Sequence, residues 1–221
     1  MLFAKRLGLQ PADSALIKLR DGTDAFITKR FDRDPETGAK RHAEDFSQAS
    51  GQLRGGEGRY NGSHELLAKT LLSRYGPKDA ELLFDKKRLL GLSLMNFLFG
   101  NSDGHLKNHA ILWTQNKDGW RFRLSPFYDL VPCRLYTKDD DELGLKICGK
   151  NRGLSREHFD KWTSESLGLS VQEIDDFMDR VRSERSFILD AMRGYGLSED
   201  RISGMMHLIA TGMNQLKRGT R

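Results

Sequence analysis

The strongest constraint on this chain lies in residues 80–99, AELLFDKKRLLGLSLMNFLF, which begin with one apolar stripe and become apolar on every side at LMNFLF. A helix of that kind is buried from several directions, so it has to run through the centre of the fold. Its run LLGLSLMNFLF is too short to cross a bilayer. Gly100 stops the helix, and directly behind it comes a markedly polar stretch, NSDGHLKNHAIL, residues 101–112.

Other elements follow from periodicity and turn chemistry. Residues 1–8 read as the end of a helix stopped by Gly8 and Pro11. SALIKL and DAFITKRF flank Arg20-Asp21-Gly22-Thr23, and Asp-Gly favours a tight hairpin turn. Residues 32–63 are rich in glycine and charge and read as a long loop with at most short helical turns, anchored by Phe46 and Leu53. Leu66, Leu67, Thr70, Leu71 and Tyr75 form a helical stripe ending at Gly76-Pro77, and Asp79 is placed to cap the central helix.

After the polar stretch, HAILWT and WRFRLS flank Asn116-Lys117-Asp118-Gly119 as a second hairpin, followed directly by PFYDLV. Trp113, Trp120 and Phe122 on it are expected to pack rather than to stack on a nucleotide. The last third is helical. Ser155 caps the helix that begins REHFDKWTSESL, Ser170 and Glu173 form a capping box for a helix over 171–193, and Ser198 caps 199–217. Ile174, Phe177, Met178, Val181, Phe187 and Ile188 supply one core face, and Ile202, Met205, Met206, Ile209 and Met213 another.

Composition narrows the class without naming an activity. Of 221 residues, 38% are hydrophobic and 30% charged, a soluble, folded balance. The net charge of +5 suits an acidic partner, but acids and bases are interspersed, with NQLKRGTR at the end a modest exception. The two cysteines, Cys133 and Cys148, suggest neither a metal site nor a disulfide framework and fit a reducing cytoplasm. The N-terminus lacks the pattern of a signal peptide, so neither secretion nor a membrane is expected.

Asp103 and Asn108 lie five residues apart just behind the buried helix, and Asp129 follows across a hairpin that can bring the three together. Phosphoryl transfer from ATP uses such a set: one carboxylate to receive the acceptor hydroxyl's proton, and an amide oxygen and a second carboxylate to hold magnesium. The Asp-to-Asn interval of five is that of the eukaryotic kinase catalytic loop. Ordinary turn and capping chemistry accounts for the same residues on spacing alone.

NSDGHLKNHAIL and RFRLSPFYDLVP, with KRFDR and RHAEDFSQ upstream and in the same order, resemble the HipA family of bacterial serine/threonine kinases, the toxins of toxin–antitoxin modules. The resemblance covers essentially the whole chain. It implies an α+β, protein-kinase-like fold: a truncated N-terminal hairpin lobe, residues 1–62, on a mostly helical catalytic lobe, residues 63–221, that carries the catalytic hairpin. It makes Asp103 the catalytic base, Asn108 and Asp129 the ligands of Mg2+, and Phe31 part of the hinge that cradles the adenine of ATP. His105 and Lys107 become neighbours of the transferred phosphate, with loop structure and solvation as the alternative for each. His42, Glu44, Asp45 and Gln48 would lie near the interlobe cleft or simply start a surface helix, and Arg30 and Arg33 would pair with those acids or with phosphates.

The implied partners are a protein acceptor, aminoacyl-tRNA synthetases being among the family's targets, and a DNA-binding antitoxin through which any contact with DNA is indirect. The chain departs from the family pattern in three respects. No glycine-rich phosphate loop precedes Asp103 in the expected place, since Gly51, Gly55, Gly56 and Gly58 come too late; Lys18 lies after the position of the ATP-pairing lysine; and Lys29 stands where an acidic residue is common. These leave open a split kinase whose other lobe is a separate polypeptide, a non-catalytic module that binds an antitoxin or partner lobe, and an upstream truncation. An aminoglycoside phosphotransferase shares the Asp-to-Asn interval, but the DGHLKN and FYD contexts argue against it.

Overall fold

The computed structural model describes residues 1–52, 56–76, 80–116, 119–137 and 142–218. Pro77, Asp79, Leu53 and the turn residues Lys117 and Asp118 lie outside them.

The chain begins with helix α1 (Leu2–Arg6) and an antiparallel hairpin of β1 (Ser14–Lys18) and β2 (Asp24–Thr28). Its register runs from Ser14↔Thr28 to Lys18↔Asp24, and the turn expected at Asp21-Gly22 closes it, with Gly22 at φ +86°. Leu16, Ile17, Phe26 and Ile27 on this hairpin are all exposed.

The stretch 32–63 has the short helical turns expected of it and, beyond them, one strand. It forms β3 (Ala43–Asp45), the short helix α2 (Phe46–Ala49) and a 3-10 turn over Gly56–Tyr60. β3 pairs with β4 (Ala110–Asn116), which pairs with β5 (Gly119–Leu124), so the second hairpin belongs to a three-stranded antiparallel sheet. Three residues reading Ala-Glu-Asp carry no apolar alternation; the ladder forms because a neighbouring edge is available, as in Ala43↔Leu112. Phe46 is fully buried, as its anchoring role requires.

Helix α3 (His64–Leu72) leads to the central helix α4 (Ala80–Phe99). Leu89, Leu92, Leu94 and Leu98 of α4 are buried, as an all-round apolar surface predicts, and Ala4 of α1 and Leu7 just after it join the same core. The remaining helices are α5 (Arg156–Lys161), which runs into a π-helical turn over Trp162–Ser166, then α6 (Gln172–Ser183), α7 (Arg185–Gly194) and α8 (Glu199–Gln215). Trp113 packs edge-on to Phe122 with centroids 4.4 Å apart, as expected of these two, whereas Trp120 touches Trp113 edge-on at 6.0 Å but stays 56% exposed.

Two helix expectations need correction. The helix expected over 171–193 is two, broken at Glu184, where the Ser183 hydroxyl donates back to the Arg180 carbonyl at 2.9 Å and competes with the ladder. Glu184 then pairs with Arg6 at 2.8 Å, and Phe187, expected in the core, is half-buried with the Arg6 guanidinium 4.7 Å from its ring. The Ser170–Glu173 capping box is also absent: Gln172 N donates to Ser170 Oγ at 3.2 Å, while the Glu173 carboxylate leaves the helix end to meet Lys87 at 2.6 Å. At Ser155 the expected cap forms with His158, whose Nδ1 lies 2.8 Å from the serine hydroxyl.

Candidate active site

The polar stretch is held by the end of α4. Gly100 takes φ +68°, the left-handed conformation that ends helices, and Asn101 N donates to the Asn96 carbonyl at 2.8 Å. Asn96, the single amide in LMNFLF, is buried and accepts at Oδ1 from the Asn101 amide at 3.0 Å. Asn101 Oδ1 in turn accepts from Asp103 N at 3.2 Å. A relay of two buried amides thus carries the rigidity of the core out to Asp103, and its source is a polar residue inside an apolar run.

The segment 142–147 closes over the loop from the other side. His64 N donates to the Lys146 carbonyl at 2.8 Å, which ties it to the start of α3. At Gly144 an added Cβ would stand 2.8 Å from Ser102 O and 2.9 Å from Gly104 N, so only glycine allows these two backbones to touch. Leu106, buried within the 3-10 turn Leu106–Asn108, fastens the far end of the loop.

Asp129 reaches the same place from β5. The buried Arg88 of α4 donates to the carbonyls of Leu124 at 2.9 Å and Ser125 at 2.8 Å, and to Asp85 Oδ1 at 2.8 Å. Asp85 also accepts from Leu124 N at 2.7 Å and from Tyr75. Ala12 N bonds the Phe127 carbonyl at 2.7 Å. The strand exit is therefore clamped two residues ahead of Asp129, which adopts φ +56°, a left-handed conformation uncommon for a side-chain-bearing residue and often found where function fixes the backbone.

Asn108 and Asp129, 21 residues apart, meet: Asn108 Nδ2 donates to Asp129 Oδ2 at 2.8 Å. A carboxylate only accepts, so the amide must turn its NH2 to Asp129, which leaves the amide oxygen and the second carboxylate oxygen for another ligand. One carboxylate and one amide oxygen are donors of the kind that share a magnesium ion with water and phosphate, so the pair fits that ion.

Asp103 is half-buried, and its Oδ1 accepts a hydrogen bond from the Tyr60 hydroxyl. His105 is buried, with its ring edge-on to Tyr60 at 5.2 Å and its Nδ1 without a hydrogen-bond partner among the described residues. Burial pulls its pKa below the ordinary value, partly opposed by Asp103 and Asp129, so it is a neutral imidazole at neutral pH. Lys107 projects into solvent with no ion-pair partner among the described residues, free to meet an anion. Phe31 packs on Tyr128 with centroids 5.3 Å apart, and Tyr128 donates to the Lys107 carbonyl at 2.6 Å. Burial, with the Asp45 and Asp129 charges nearby, pushes the Tyr128 phenol well up.

Residues of RHAEDFSQ start α2 and bond locally, with the Asp45 charge felt at Tyr128 beside Asp129. Asp45 caps α2 by accepting from Gln48 N at 2.8 Å while Gln48 Oε1 accepts from Asp45 N at 3.1 Å, a reciprocal box. His42 lies 3.4 Å from Glu44, and Glu44 lies 3.7 Å from Arg74. Arg30 and Arg33 pair with neither acid of that segment; both converge on Asp32, at 2.5 and 3.1 Å, because their own turn brings it closest. Asn96, Asn101, Arg88 and Tyr60 were not singled out by spacing or composition. Of these, only Asn96 left a local mark, as an amide in an apolar run.

Residues 1–186 match the family model of the HipA-like C-terminal domain. The chain belongs to that family. Among curated relatives, Putative kinase Y4dM of Sinorhizobium fredii is 32% identical over 171 residues, 76% of this chain and 35% of that protein. Putative kinase Y4mE of the same organism is 29% identical over 167 residues, 73% of this chain and 37% of its own length. The chain thus spans about a third of the length of these relatives.

Solved structures share the fold, two of them as follows. One is HipA of the Shewanella oneidensis MR-1 toxin–antitoxin system, in complex with HipB and operator DNA: TM-score 0.69, 23% identity, 98% of this chain and 53% of that one. The other is the Helicobacter pylori proinflammatory kinase CtkA: TM-score 0.61, 15% identity, 96% of this chain and 79% of that one. The fold is therefore the mixed α+β, HipA-like one. Among the described residues, no helix is long and apolar enough to cross a membrane.

Proposed function

We propose that this chain is the catalytic portion of a HipA-type, ATP-dependent protein serine/threonine kinase of a toxin–antitoxin system. The observation that carries the reading is the Asn108–Asp129 hydrogen bond, which joins the two halves of the expected metal site across a hairpin. Asp103 receives the proton of the acceptor hydroxyl. Asn108 and Asp129 hold magnesium, which when bound neutralises charge on the ATP phosphates. Lys107 faces the transferred phosphoryl group, His105 supports it as a neutral neighbour, and Phe31 with Tyr128 offers an aromatic wall for adenine. Residues 1–62 act as the residual N-terminal lobe and 63–221 as the catalytic lobe, with β3 bridging them. The acceptor is a protein such as an aminoacyl-tRNA synthetase, and the controlling partner a DNA-binding antitoxin that brings any DNA contact indirectly. The setting is the cytoplasm.

A second reading, a non-catalytic module that docks an antitoxin or a separate N-lobe polypeptide, is favoured by the bare hairpin β1–β2. A two-stranded sheet with Leu16, Ile17, Phe26 and Ile27 all exposed suits a covering partner. Calorimetry of ATP with magnesium on this chain and on Asp129→Asn decides between them. Binding heat that depends on magnesium and is lost in Asp129→Asn supports the kinase; heats near zero for both remove the claim that this polypeptide is itself a working kinase.

A further inference from the structure

Helices α6, α7 and α8 leave an open groove of about 360 Å³ between them. That is the size of a small-ligand site, about 300–1,000 Å³. Buried Val181, Ile188 and Ile209 form its floor, and half-buried Met206 and Met213 give it a wall that adapts to what fills it. Arg182, Arg185 and Lys217 stand exposed at its rim, and among the described residues no carboxylate lines it. Arg182 is paired with Asp179, whereas Arg185 and Lys217 have no ion-pair partner among the described residues. The neighbouring acid Glu184 is turned to Arg6 at 2.8 Å.

The cations are gathered at one end. Residues 195–198 fold α8 back along α7, and Arg218 meets Asp175 in the first turn of α6 at 3.0 Å, so α8 runs opposite to α6 and α7. One wall therefore reads Arg182, Arg185, Ile188 and the facing wall Lys217, Met213, Met206, in the same direction. Both begin cationic and end apolar. The apolar part of the α8 wall, from Met206 to Met213, is roughly 10 Å long at the rise of an α-helix. An amphipathic helix seated in a groove needs apolar anchors along its whole length. Cations at one end and apolar surface at the other match instead a molecule with one anionic head and one apolar tail. We infer that this groove binds a single-chain anionic amphiphile of the fatty-acid class, with its carboxylate between Arg185 and Lys217 and its chain along Ile188, Ile209 and Met206. Asp103, Asn108 and Asp129 do not line the groove, so the inference is independent of the kinase reading.

Calorimetry with sodium dodecanoate below its micelle concentration, on the whole chain, tests this. One molecule should bind per chain, more weakly as salt rises. Decanoate, two methylenes shorter, should bind roughly tenfold more weakly. Arg185→Glu and Lys217→Glu should each weaken dodecanoate about fivefold. Ala210→Trp, at an exposed position on the α8 wall, should fill the groove and abolish binding. Urea unfolding checks that each variant keeps the fold. Binding that survives Ala210→Trp, or that neither charge reversal weakens, places the ligand elsewhere and overturns the proposal. Equal affinity for dodecanol or dodecyltrimethylammonium overturns the anionic head. No heat with dodecanoate overturns the site, and an acidic amphipathic peptide that binds in its stead, weakened by Arg185→Glu, makes the groove a protein-docking surface.

Discussion

Acidification should unfold this protein through two buried imidazoles. His64 and His109 are each 3% exposed, and burial holds both pKa values at about 4 against an ordinary 6.5. His64 keeps one hydrogen bond, from its ring to the Lys146 carbonyl at 3.1 Å, whereas His109 Nδ1 has no partner among the described residues. The unfolded chain takes up a proton at each as pH falls through 6.5, and the folded chain does not until about 4. Unfolding therefore gains up to two protons across that window. The histidines' contribution to stability is full above 6.5, falls between 6.5 and 4, and levels off below.

At about 1.4 kcal/mol per pH unit the loss is roughly 3 kcal/mol for each histidine, and about 6 for both. That is comparable with the whole stability of a domain at the lower end of the usual range, about 5–15 kcal/mol. The His64 charge also disfavours protonation of His109, an effect already contained in its value of about 4. Urea unfolding followed by tryptophan fluorescence at a series of pH values reads the slope directly. His64→Asn and His109→Asn should each remove about one proton from it. A stability that is flat between pH 6.5 and 4.5, or a slope unchanged in both variants, would refute the reasoning.

Three substitutions test what holds the candidate site. Arg88→Met leaves the Asp85 carboxylate, 0% exposed, without its cation and should cost about 3–5 kcal/mol in urea denaturation. Gly144→Ala drives a methyl group against the backbone at Ser102 and Gly104; about 1–3 kcal/mol of stability should go, and magnesium-dependent ATP affinity should fall by more than the unfolded fraction accounts for. Asn96→Leu keeps the volume but orphans the Asn101 amide, so it should cost about 1–3 kcal/mol and release amide-hydrogen protection over residues 101–103 while leaving that of α8 intact.

The elements that periodicity made visible are those whose residues are sorted by their own burial. α4 reads from its apolar surface, and both hairpins read from β-branched and aromatic runs around turn residues. What escaped is fixed by neighbours. β3 is strand only because the β4 edge is open beside it, and the break at Glu184 depends on a serine hydroxyl choosing a carbonyl in its own helix. In the 171–193 segment Val181 and Ile188 keep helical spacing across the break, so the pattern gave no warning of it.

The same division runs through the candidate site. Asp103, Asn108 and Asp129 stand out in sequence because a loop and a hairpin exit carry them at a recognisable interval. Their supports do not, since each acts across a long separation: Tyr60 reaches Asp103 over 43 residues, and Arg88 reaches Ser125 over 37. A tyrosine in a glycine-rich turn and an arginine in a helix are ordinary in themselves. They become informative only when the fold sets one oxygen of Tyr60 between a carboxylate and a guanidinium, and the Arg88 guanidinium against two carbonyls of a strand end. Asn96 lies between these cases: an amide in LMNFLF has to be satisfied once the helix is buried, so the sequence demanded a polar partner there without saying that Asn101 would be it.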